Sequence, residues 1–419
     1  MKTRRVIVIG GGAAGMMAAG RAAERGASVV LLEKGSKLAR KVRISGKGRA
    51  NITNTADLNE FIDAFSPNGR FLYGAFSRYF RDDLLDFFHK MGVETKEERG
   101  GRVFPVSDRA SDVVEAFEKW LDGLGVRIKY NATAKSIDVK DGHVTGVKLY
   151  GGRMDADALI IATGGMSYPK TGSTGDGYHM ARDLGHTIIS PRPALSALIT
   201  KEDWIKDLQG LSLRNVEASL LMETKGQDKP KKIASEFGEM LFTSNGVSGP
   251  IILTLSRYVG TLLGTGRLVI SIDLKPALTP DQLHQRLIRD FKQTRHLKNY
   301  LHDLLPRLLI DVFIYVGGLD GDKPVNSITA NERERMVDLL KDFRTQVVRM
   351  APLDEAIVTA GGVCIKEIDP RTMMSKLVNG LFFAGEVMDI DAQTGGYNLQ
   401  AAFSTGYVAG EAAADYIGV

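Results

Sequence analysis

The start of the chain alternates between buried-strand and helix patterns. Val6 to Ile9 is an unbroken apolar run, which is typical of a parallel strand buried on both faces. An alanine-rich stretch predicts a helix from Ala13 to Arg25, and Ser28 to Leu32 predicts a second strand that ends at Glu33. The order strand, helix, strand predicts the first unit of a parallel α/β sheet.

The turn between the first strand and the helix has the spacing G-x-G-x-x-G, at Gly10, Gly12 and Gly15. Gly10 suits a tight turn, Gly12 lets backbone approach a pyrophosphate, and Gly15 allows close packing of helix on strand. The helix begins without an acidic residue, so its N–H groups are available to an anion. Glu33 is placed to accept the hydroxyls of an adenosine ribose. A dinucleotide site is therefore predicted.

Similar strand patterns return later in the chain. Val126 to Tyr130 predicts a third parallel strand, Ala134 to Tyr150 predicts an antiparallel hairpin, and Leu159 to Ala162 predicts another buried strand. Gly380 to Ala384 has the pattern of a last buried strand, and an alanine-rich helix follows from Ala401. We therefore expect the two ends of the chain to complete one sheet together.

Between these ends the pattern changes twice. Strand patterns dominate residues 194–275 and 344–350, whereas apolar residues at helical spacing dominate residues 276–343. The chain is therefore expected to have three parts. These are an α/β domain formed by residues 1–193 and 351–419, a β-rich insert and a helical subdomain.

Composition limits the class of protein. With 43% hydrophobic and 25% charged residues the chain is typical of a globular protein, and it has no apolar run long enough to cross a bilayer. Cys364 is the single cysteine, which excludes an intramolecular disulfide, and the seven histidines lack metal-ligand spacing. We expect a cytoplasmic protein without a membrane or metal site. The formal charge of +5 is compatible with an anionic ligand and does not require nucleic acid.

A basic segment that contains glycines follows the second strand. Seven Lys or Arg side chains lie between Lys34 and Arg49 with no acid among them, and the glycines let backbone N–H groups curve around an anion. A solvated charged face is the simpler interpretation of such a run. Its position directly after the dinucleotide motif favours a second set of cofactor contacts.

Several motifs resemble one family, the FAD-binding flavoproteins grouped as BaiN-like and aminoacetone oxidase-like proteins. Besides the first glycine loop, the motifs are Arg40-Lys41, Ser45-Gly46-x-Gly48-Arg49-x-Asn51-x-Thr53-Asn54, Leu241-Phe242-Thr243, Gly246-x-Ser248-Gly249-Pro250, Thr359-Ala360-Gly361-Gly362-Val363, Glu367-Ile368-Asp369-Pro370, and Gly385-Glu386 through Gly395-Gly396-x-Asn398. The chain has Ala50, Ser244 and Met374 where many relatives have Cys, His and an acid. Chemistry that depends on a Cys, His or acid at those three positions is therefore not expected here.

The resemblance implies an α/β fold class, a Rossmann-like two-dinucleotide FAD-binding domain with an inserted β-barrel-like domain and a small helical subdomain. It implies FAD as the cofactor, with its pyrophosphate on the first glycine loop and its AMP ribose on Glu33. Gly396 to Leu399, at the start of the last helix, would aim N–H groups at the flavin pyrimidine. There they would stabilise negative charge on reduced flavin by on the order of 1 kcal/mol.

The resemblance also implies roles for residues outside the first glycine loop. The pyrophosphate or flavin would be contacted by Lys41, Ser45, Arg49 and Asn51. Adenine would meet the backbone of Ala134, and the ribityl chain and pyrophosphate would meet Gly385 and Glu386. The complete set of expected cofactor-binding residues is Gly10, Gly12, Ala14, Gly15, Glu33, Lys34, Lys41, Ser45, Gly48, Arg49, Asn51, Ala134, Thr163, Gly164, Gly165, Asp176, Gly385, Glu386, Asp389, Gly396, Asn398 and Leu399.

Three functions are consistent with these features. The first is an FAD-dependent oxidoreductase that transfers a hydride through flavin N5, with NAD(P)H or an oxidisable small molecule as the donor. Because the sequence has no second G-x-G-x-x-G, NAD(P)H would bind only transiently. The second, which the resemblance implies, is a reductase of uridine in ribosomal RNA, with the basic stretch from Arg286 to Lys298 as a candidate RNA contact. The third is a non-catalytic FAD-binding protein.

Two side chains are candidates for acid–base chemistry. Tyr397 would lie beside the flavin, although simple packing also explains it, and Ser248 lies in the motif of the β-rich insert. A small molecule is the expected substrate and ribosomal RNA is the alternative partner. The sequence indicates no oligomeric state.

Overall fold

The structure is a computed structural model, and the residues it describes are 4–65, 67–224, 226 and 229–419. The strands, numbered in chain order, are β1 (Arg5–Ile9), β2 (Ser28–Leu32), β3 (Thr53–Asn54), β4 (Thr95–Glu98), β5 (Arg102–Pro105), β6 (Arg127–Lys129), β7 (Ala134–Lys140), β8 (His143–Leu149), β9 (Gly152–Asp155), β10 (Ala158–Ile161), β11 (Ile188–Ala194), β12 (Leu198–Thr200), β13 (Ser212–Glu223), β14 (Lys231–Thr243), β15 (Gly246–Ser248), β16 (Arg267–Asp273), β17 (Phe343–Met350), β18 (Val358–Val363) and β19 (Leu381–Phe383). The helices are α1 (Ala13–Glu24), α2 (Arg40–Gly48), α3 (Leu58–Ala64), α4 (Tyr73–Phe76), α5 (Arg81–Lys90), α6 (Ala110–Gly123), α7 (Asp176–Asp183), α8 (Pro250–Leu262), α9 (Pro280–Asp290), α10 (Leu297–Leu301), α11 (Arg307–Gly317), α12 (Ala330–Lys341) and α13 (Tyr397–Tyr416).

The chain divides into two compact units. The first consists of Met1–Pro193 and Leu353–Val419, and the second is Ala194–Pro352. Each unit has a hydrophobic core of its own. Among the described residues, none of the helices is both long enough and apolar enough to cross a membrane.

The first unit is built on a five-stranded parallel sheet with the strand order β19-β10-β1-β2-β6. Strand β1 pairs with β2 on one side and with β10 on the other, so the direction of the strand order reverses at β1. Loops that leave the carboxyl ends of strands at such a reversal form the ligand crevice of α/β sheets. The Rossmann-like fold expected from the sequence is confirmed.

The two ends of the chain meet through small residues. Strand β19 pairs with β10, and helix α13 packs against α1. A Cβ atom at Gly406 would lie 2.4 Å from the carbonyl oxygen of Ala14, and one at Gly410 would lie 2.3 Å from that of Ala18. Glycine at these two positions therefore permits the close approach of the first and last helices.

The basic segment after β2 is partly helical. Residues from Arg40 form helix α2. The backbone leaves helical geometry at Ser45, and φ reaches 56° at Gly46 and 60° at Lys47. Left-handed backbone conformations are uncommon for residues other than glycine. The turn at Gly46 and Lys47 therefore sets the direction of the chain on either side of it.

The second unit is a closed six-stranded barrel with helices packed on it. The strand order around the barrel is β12-β15-β14-β13-β16-β17. The helices that the sequence predicts over 276–343 lie in this unit and share its core. For example, Leu287 and Phe313 of the helices belong to the same buried cluster as Ile270 and Phe343 of the barrel.

Candidate functional site

The glycines of the loop after β1 lie in three different environments. Gly10 has a φ of +105°, and a Cβ atom there would lie 2.5 Å from the carbonyl oxygen of Ala162. A Cβ atom at Gly15 would lie 1.8 Å from the carbonyl oxygen of Gly10. A Cβ atom at Gly12 would meet no described atom within 4 Å. The loop is therefore tightly packed at both ends and open at Gly12, where a ligand can approach the backbone.

The N-terminus of α1 is open and lies beside a fixed carboxylate. Gly12 is the N-cap residue, and within the described chain no side chain caps the helix. Its first turn, which includes Ala14, contains no acid. The buried Glu33 carboxylate accepts hydrogen bonds from the N–H groups of Gly11 (2.9 Å) and Gly35 (2.6 Å). A carboxylate has about four acceptor positions, so Glu33 can still accept two hydroxyl donors.

Ala134 begins β7 next to the Glu33 loop. The Ala132 N–H donates to the carbonyl oxygen of Glu33 (2.9 Å), and the Asn131 N–H donates to that of Gly35 (3.0 Å). These bonds hold the segment that leads into Ala134 against the loop. The structure thus brings together the two residues expected at the adenosine end, Glu33 and Ala134.

Lys41 and Glu386 form an ion pair where several loops converge. The Lys41 Nζ lies 2.7 Å from the Glu386 Oε2 and donates to the Ser167 Oγ (2.7 Å). The Thr359 N–H donates to the other oxygen of Glu386 (2.8 Å). Ser167 and Thr359 are site residues that the sequence analysis did not select. Thr359 begins a motif that could have indicated it, whereas the sequence around Ser167 carries no such signal.

The loop after β10 is held by the same threonine. The φ of Gly164 is +72°, and a Cβ atom at Gly165 would lie 2.4 Å from the Thr359 Oγ1. That oxygen also accepts a hydrogen bond from the Ser167 N–H (3.0 Å). The hydroxyl of Thr163 is buried and has no hydrogen-bond partner among the described residues. The backbone of this loop is therefore fixed. It lies beside the glycine loop of β1, because Ala162 is next to Gly10.

Lys34 and Asp176, both expected at the cofactor, bind each other. The Lys34 Nζ lies 2.7 Å from the Asp176 Oδ2 and donates to the Thr174 Oγ1 at 2.5 Å. The Thr174 hydroxyl in turn donates to the other Asp176 oxygen (2.8 Å). The charges of both expected ligands are used in joining the loop after β2 to the start of α7.

The predicted contacts of the basic segment are largely internal. The Ser45 hydroxyl donates to a backbone carbonyl of α2 (2.8 Å), and Gly48 has a φ of +86°. The Arg49 guanidinium binds Glu98 (2.7 Å) and lies 4.0 Å from the centroid of the Phe104 ring. The hydrogen bond to Glu98 raises the pKa of Arg49 above its ordinary value. Arg49, expected at the pyrophosphate or flavin, is thus held by side chains distant in sequence.

Helix α13 also begins without a side-chain cap. Its N-cap residue is Gly396, with a φ of +101°, and no cap or first-turn acid is found in the part of the chain that the structure describes. The Asn398 side chain turns back and bonds both the N–H and the carbonyl of Ala392 (2.9 and 3.0 Å). Asn51, with its amide assigned from the hydrogen-bond network, accepts from the Gly396 N–H (3.0 Å). The N–H groups of Asn398 and Leu399 have no backbone acceptor among the described residues.

Gly385 and Asp389 lie on either side of Glu386. Gly385 has a φ of +74°, and a Cβ atom there would lie 2.8 Å from that of Ala14 on α1. The Asp389 carboxylate accepts a hydrogen bond from the Asn68 side-chain amide (3.0 Å). Burial is the main reason why the pKa of Asp389 is raised. This loop therefore carries a carboxyl group that binds its proton more readily than usual.

The two candidate catalytic residues lie in different units. Tyr397 is 8% exposed, its ring packs edge-on against Phe61 with centroids 4.7 Å apart, and burial raises its pKa. Ser248 ends β15 in the barrel, where it is paired with Leu241 of β14. The contacts of Tyr397 are those of a packing residue, which is the simpler of the two interpretations of its sequence position.

Among protein families, the HI0933-like protein Rossmann domain matches residues 4–412 of this chain. This chain belongs to that family. The resemblance inferred from the motifs is confirmed, and this member of the HI0933-like family is an FAD-binding flavoprotein of the oxidoreductase class.

Two named activities occur among its relatives. The chain is 30% identical over 420 residues to a 3-dehydro-bile acid delta(4,6)-reductase from Clostridium scindens, a match that covers 98% of this chain and 99% of the relative. It is also 30% identical over 409 residues to a ribosomal RNA dihydrouridine synthase from Escherichia coli, which covers 96% of each chain. A protein with that same name from Haemophilus influenzae is 31% identical over equal shares.

Solved structures share the fold at low sequence identity. The 3-ketosteroid delta1-dehydrogenase from Sterolibacterium denitrificans superposes with a TM-score of 0.53 at 13% identity, covering 99% of this chain and all of that chain. A flavocytochrome c3 fumarate reductase in its open conformation gives a TM-score of 0.51 at 16% identity, covering 99% of this chain and 79% of the other. These similarities support the architecture of this HI0933-like protein and do not bear on its substrate.

Proposed function

We propose that this FAD-dependent oxidoreductase saturates a carbon–carbon double bond conjugated to a carbonyl group, with NAD(P)H as electron donor. The names of its relatives support this substrate class. A delta(4,6)-reductase of a 3-dehydro-bile acid and a dihydrouridine synthase both act on a ring whose double bond is conjugated to a carbonyl group. A small molecule with such a group is the first candidate substrate.

The observation that carries the proposal is the pair of uncapped helix starts in the first unit. Helices α1 and α13 both begin after a glycine, and both lack an acid in the first turn. The N–H groups of α1 would hold the FAD pyrophosphate, and those of α13 would meet the flavin pyrimidine. Open space at Gly12 fits the pyrophosphate, and the fixed carboxylate of Glu33 fits the AMP ribose. The residues present therefore fit FAD.

Neighbouring loops would complete the cofactor site. The backbone of Ala134 would meet adenine, and Gly385 would approach the ribityl chain. Lys41 would contribute positive charge, reduced by its ion pair with Glu386. When bound, FAD supplies hydride transfer at its N5 atom. Tyr397, whose ring packs against Phe61, would form part of the wall of the site.

A nicotinamide donor fits a chain that has one G-x-G-x-x-G. NAD(P)H would bind only for the time needed to pass its hydride, and the substrate would replace it. The test is anaerobic mixing. NADPH or NADH should bleach the flavin absorbance of the purified protein, and a steroid enone should restore it, whereas the saturated ketone should not. If oxygen restores the flavin absorbance and none of the tested enones does, the proposed substrate class is rejected.

Reduction of uridine in ribosomal RNA is the second candidate, favoured by the two relatives with that name. The basic stretch is the feature that would contact RNA, but four of its five Lys and Arg side chains are in ion pairs. The ion pairs are Arg286–Asp290, Arg289–Asp290, Arg295–Asp303 and Lys298–Asp311. Paired cations release few counterions on binding a phosphate backbone, so this surface supports weak RNA binding only. Loss of dihydrouridine from the ribosomal RNA of cells that lack the protein would favour this second candidate.

A further inference from the structure

The two-residue strand β3 lies against the start of α13 and is fully buried. Thr53 and Asn54 form the strand, and their exposed fractions are 0% and 3%. Buried polar groups are costly unless each has a hydrogen-bond partner. The Thr53 hydroxyl and the Asn54 amide both have a partner at the N-terminus of α13, far along the chain, and the Asn54 side chain also bonds the carbonyl oxygen of Gly100 and the N–H of Ala56.

Each side chain of β3 binds a different part of the helix start. The Thr53 hydroxyl donates to the side-chain oxygen of Gln400 (2.6 Å), and the Gln400 amide donates to the Ser404 Oγ (3.0 Å). The Asn54 amide donates to the carbonyl oxygen of Gly395 (2.9 Å). The carbonyl oxygen of Thr53 would lie only 2.2 Å from a Cβ atom at Gly396. Strand β3 therefore contacts Gly395 and Gly396 just before α13 and Gln400 within it.

This arrangement fixes the start of α13 without capping its first-turn N–H groups. Ser, Thr, Asp and Asn are preferred at the N-cap, where a helix begins, because the side chain accepts a hydrogen bond from one of the free N–H groups. Here the neighbouring amides of Asn51 and Asn54 bind the N–H of Gly396 and the carbonyl of Gly395, which lie two and three residues before Asn398, the first residue whose N–H an N-cap side chain would take. The first-turn N–H groups of the 20-residue helix α13 are left for a ligand. The supporting side chains are also neutral, so they add no negative charge.

We infer that Thr53 and Asn54 are positioning residues that make the protein bind reduced FAD more tightly than it would without them. The inference rests on the proposed placement of the flavin pyrimidine at the start of α13. Transfer of a hydride adds two electrons and one proton, and therefore leaves one additional negative charge on the bound cofactor. N–H groups held rigidly at that edge stabilise the charge because they need not reorient when it appears. If the start of α13 could move, part of this stabilisation of the reduced flavin would be lost.

The test measures the midpoint potential of the bound FAD against a reference dye in the purified holoprotein. Thr53→Val keeps the shape of the side chain but removes the donor to Gln400, and Asn54→Ser is too short to reach Gly395. Each should weaken the binding of reduced FAD relative to oxidised FAD by about three- to tenfold. Since a tenfold change is 29.6 mV for a two-electron couple, the potential should fall by about 15–30 mV.

Two control variants separate this effect from a general disturbance. Thr53→Ser keeps the hydroxyl and should restore the wild-type potential. Thr55→Ala removes an exposed hydrogen bond to Glu97 (3.0 Å) on the same segment and should leave the potential unchanged. If either β3 variant retains too little FAD for the dye titration, separate dissociation constants for oxidised and reduced FAD give the same ratio.

Equal loss of affinity for both forms, or unshifted potentials in both variants with FAD bound, would overturn the inference and leave the proposed function intact. A wild-type protein that holds no FAD would instead overturn the placement on which the inference rests.

Discussion

The starts of α1 and α13 look alike in the backbone but are supported by different side chains. Both follow a glycine and lack a cap. The start of α1 is braced by the carboxylate of Glu33, whereas the start of α13 is braced by the neutral amides of Asn51 and Asn54. A ribose has hydroxyl donors, so a carboxylate binds it well. A flavin pyrimidine that gains negative charge would be repelled by a carboxylate.

The magnitudes explain why an acid would be harmful at the second helix. A helix N-terminus stabilises a nearby negative charge by about 0.3–1 kcal/mol at exposed sites and by up to about 2 kcal/mol when partly buried. Two like charges about 4 Å apart repel by about 4 kcal/mol at an effective dielectric constant of about 20. One carboxylate beside the start of α13 would therefore offset the contribution of the helix. The same carboxylate at α1 lies among donors and meets no such conflict.

The largest effect is expected at Gly15, in the first turn of α1. Gly15→Ala places a Cβ atom 1.8 Å from a backbone oxygen, so the helix must move. We expect a loss of about 3 kcal/mol or more in the free energy of unfolding, measured by urea denaturation of the apoprotein. Gly12→Ala is the matched control, since its Cβ atom faces open space. That variant should fold with normal stability but hold FAD less tightly, and equal stability of the two variants would contradict this account.

The next effect concerns the carboxylate at α1. Glu33→Ala removes a charged acceptor from the AMP ribose, a loss of roughly 1.5–3 kcal/mol that weakens FAD binding about tenfold or more. Glu33→Gln keeps one acceptor oxygen and should lose less. Titration of the apoprotein with FAD, followed by flavin fluorescence, measures both. Unchanged affinity in the alanine variant would show that Glu33 is not the ribose ligand.

A smaller, pH-dependent effect is expected in the loop that leads to α13. Burial raises the pKa of Asp389, and the charge of Asp391 adds to this, while Asn68 and Arg192 act in the opposite direction. Because the folded state holds this proton more tightly, the stability from the group is present at low pH and is lost as pH rises through the raised pKa. Asp389→Asn should therefore gain thermal stability over the wild type as pH rises from about 4 to 7. A difference in Tm that does not change with pH would contradict the assignment.

The smallest effect is expected on the paired basic surface of the second unit. Arg289→Glu with Arg295→Glu should change RNA binding little, because both arginines already face acids. Binding of structured RNA is measured at several salt concentrations. Tight wild-type binding with a steep salt dependence that the double variant loses would instead support the RNA substrate.

The sequence predicted those parts of the molecule whose signals are local. The strand, glycine turn and helix from Val6 to Glu33 are contiguous, so the pattern alone predicted β1, α1 and β2. The switch from strand to helical spacing likewise predicted a β-rich insert with helices. The resemblance to the flavoprotein family implied that this insert is barrel-like, and the structure confirms a closed barrel.

The pairing of charged residues could not be predicted in the same way. Lys34 binds Asp176, Lys41 binds Glu386 and Arg49 binds Glu98. The two members of each pair are far apart in sequence and meet only in the folded chain. A run of lysines and arginines therefore looked free to meet an anion when much of its charge was already matched. The role of β3 was missed for the same reason, since two polar residues give no strand signal by themselves.

We propose that the starts of α1 and α13 hold the pyrophosphate and the flavin of one FAD molecule. A comparison of the affinities of the apoprotein for FAD and for FMN, which lacks the AMP portion, tests this placement. We expect wild-type protein to bind FAD far more tightly than FMN, Glu33→Ala to remove much of this difference, and Asn54→Ser to weaken both ligands alike. Equal wild-type affinity for FAD and FMN, or an unchanged difference in Glu33→Ala, would contradict it.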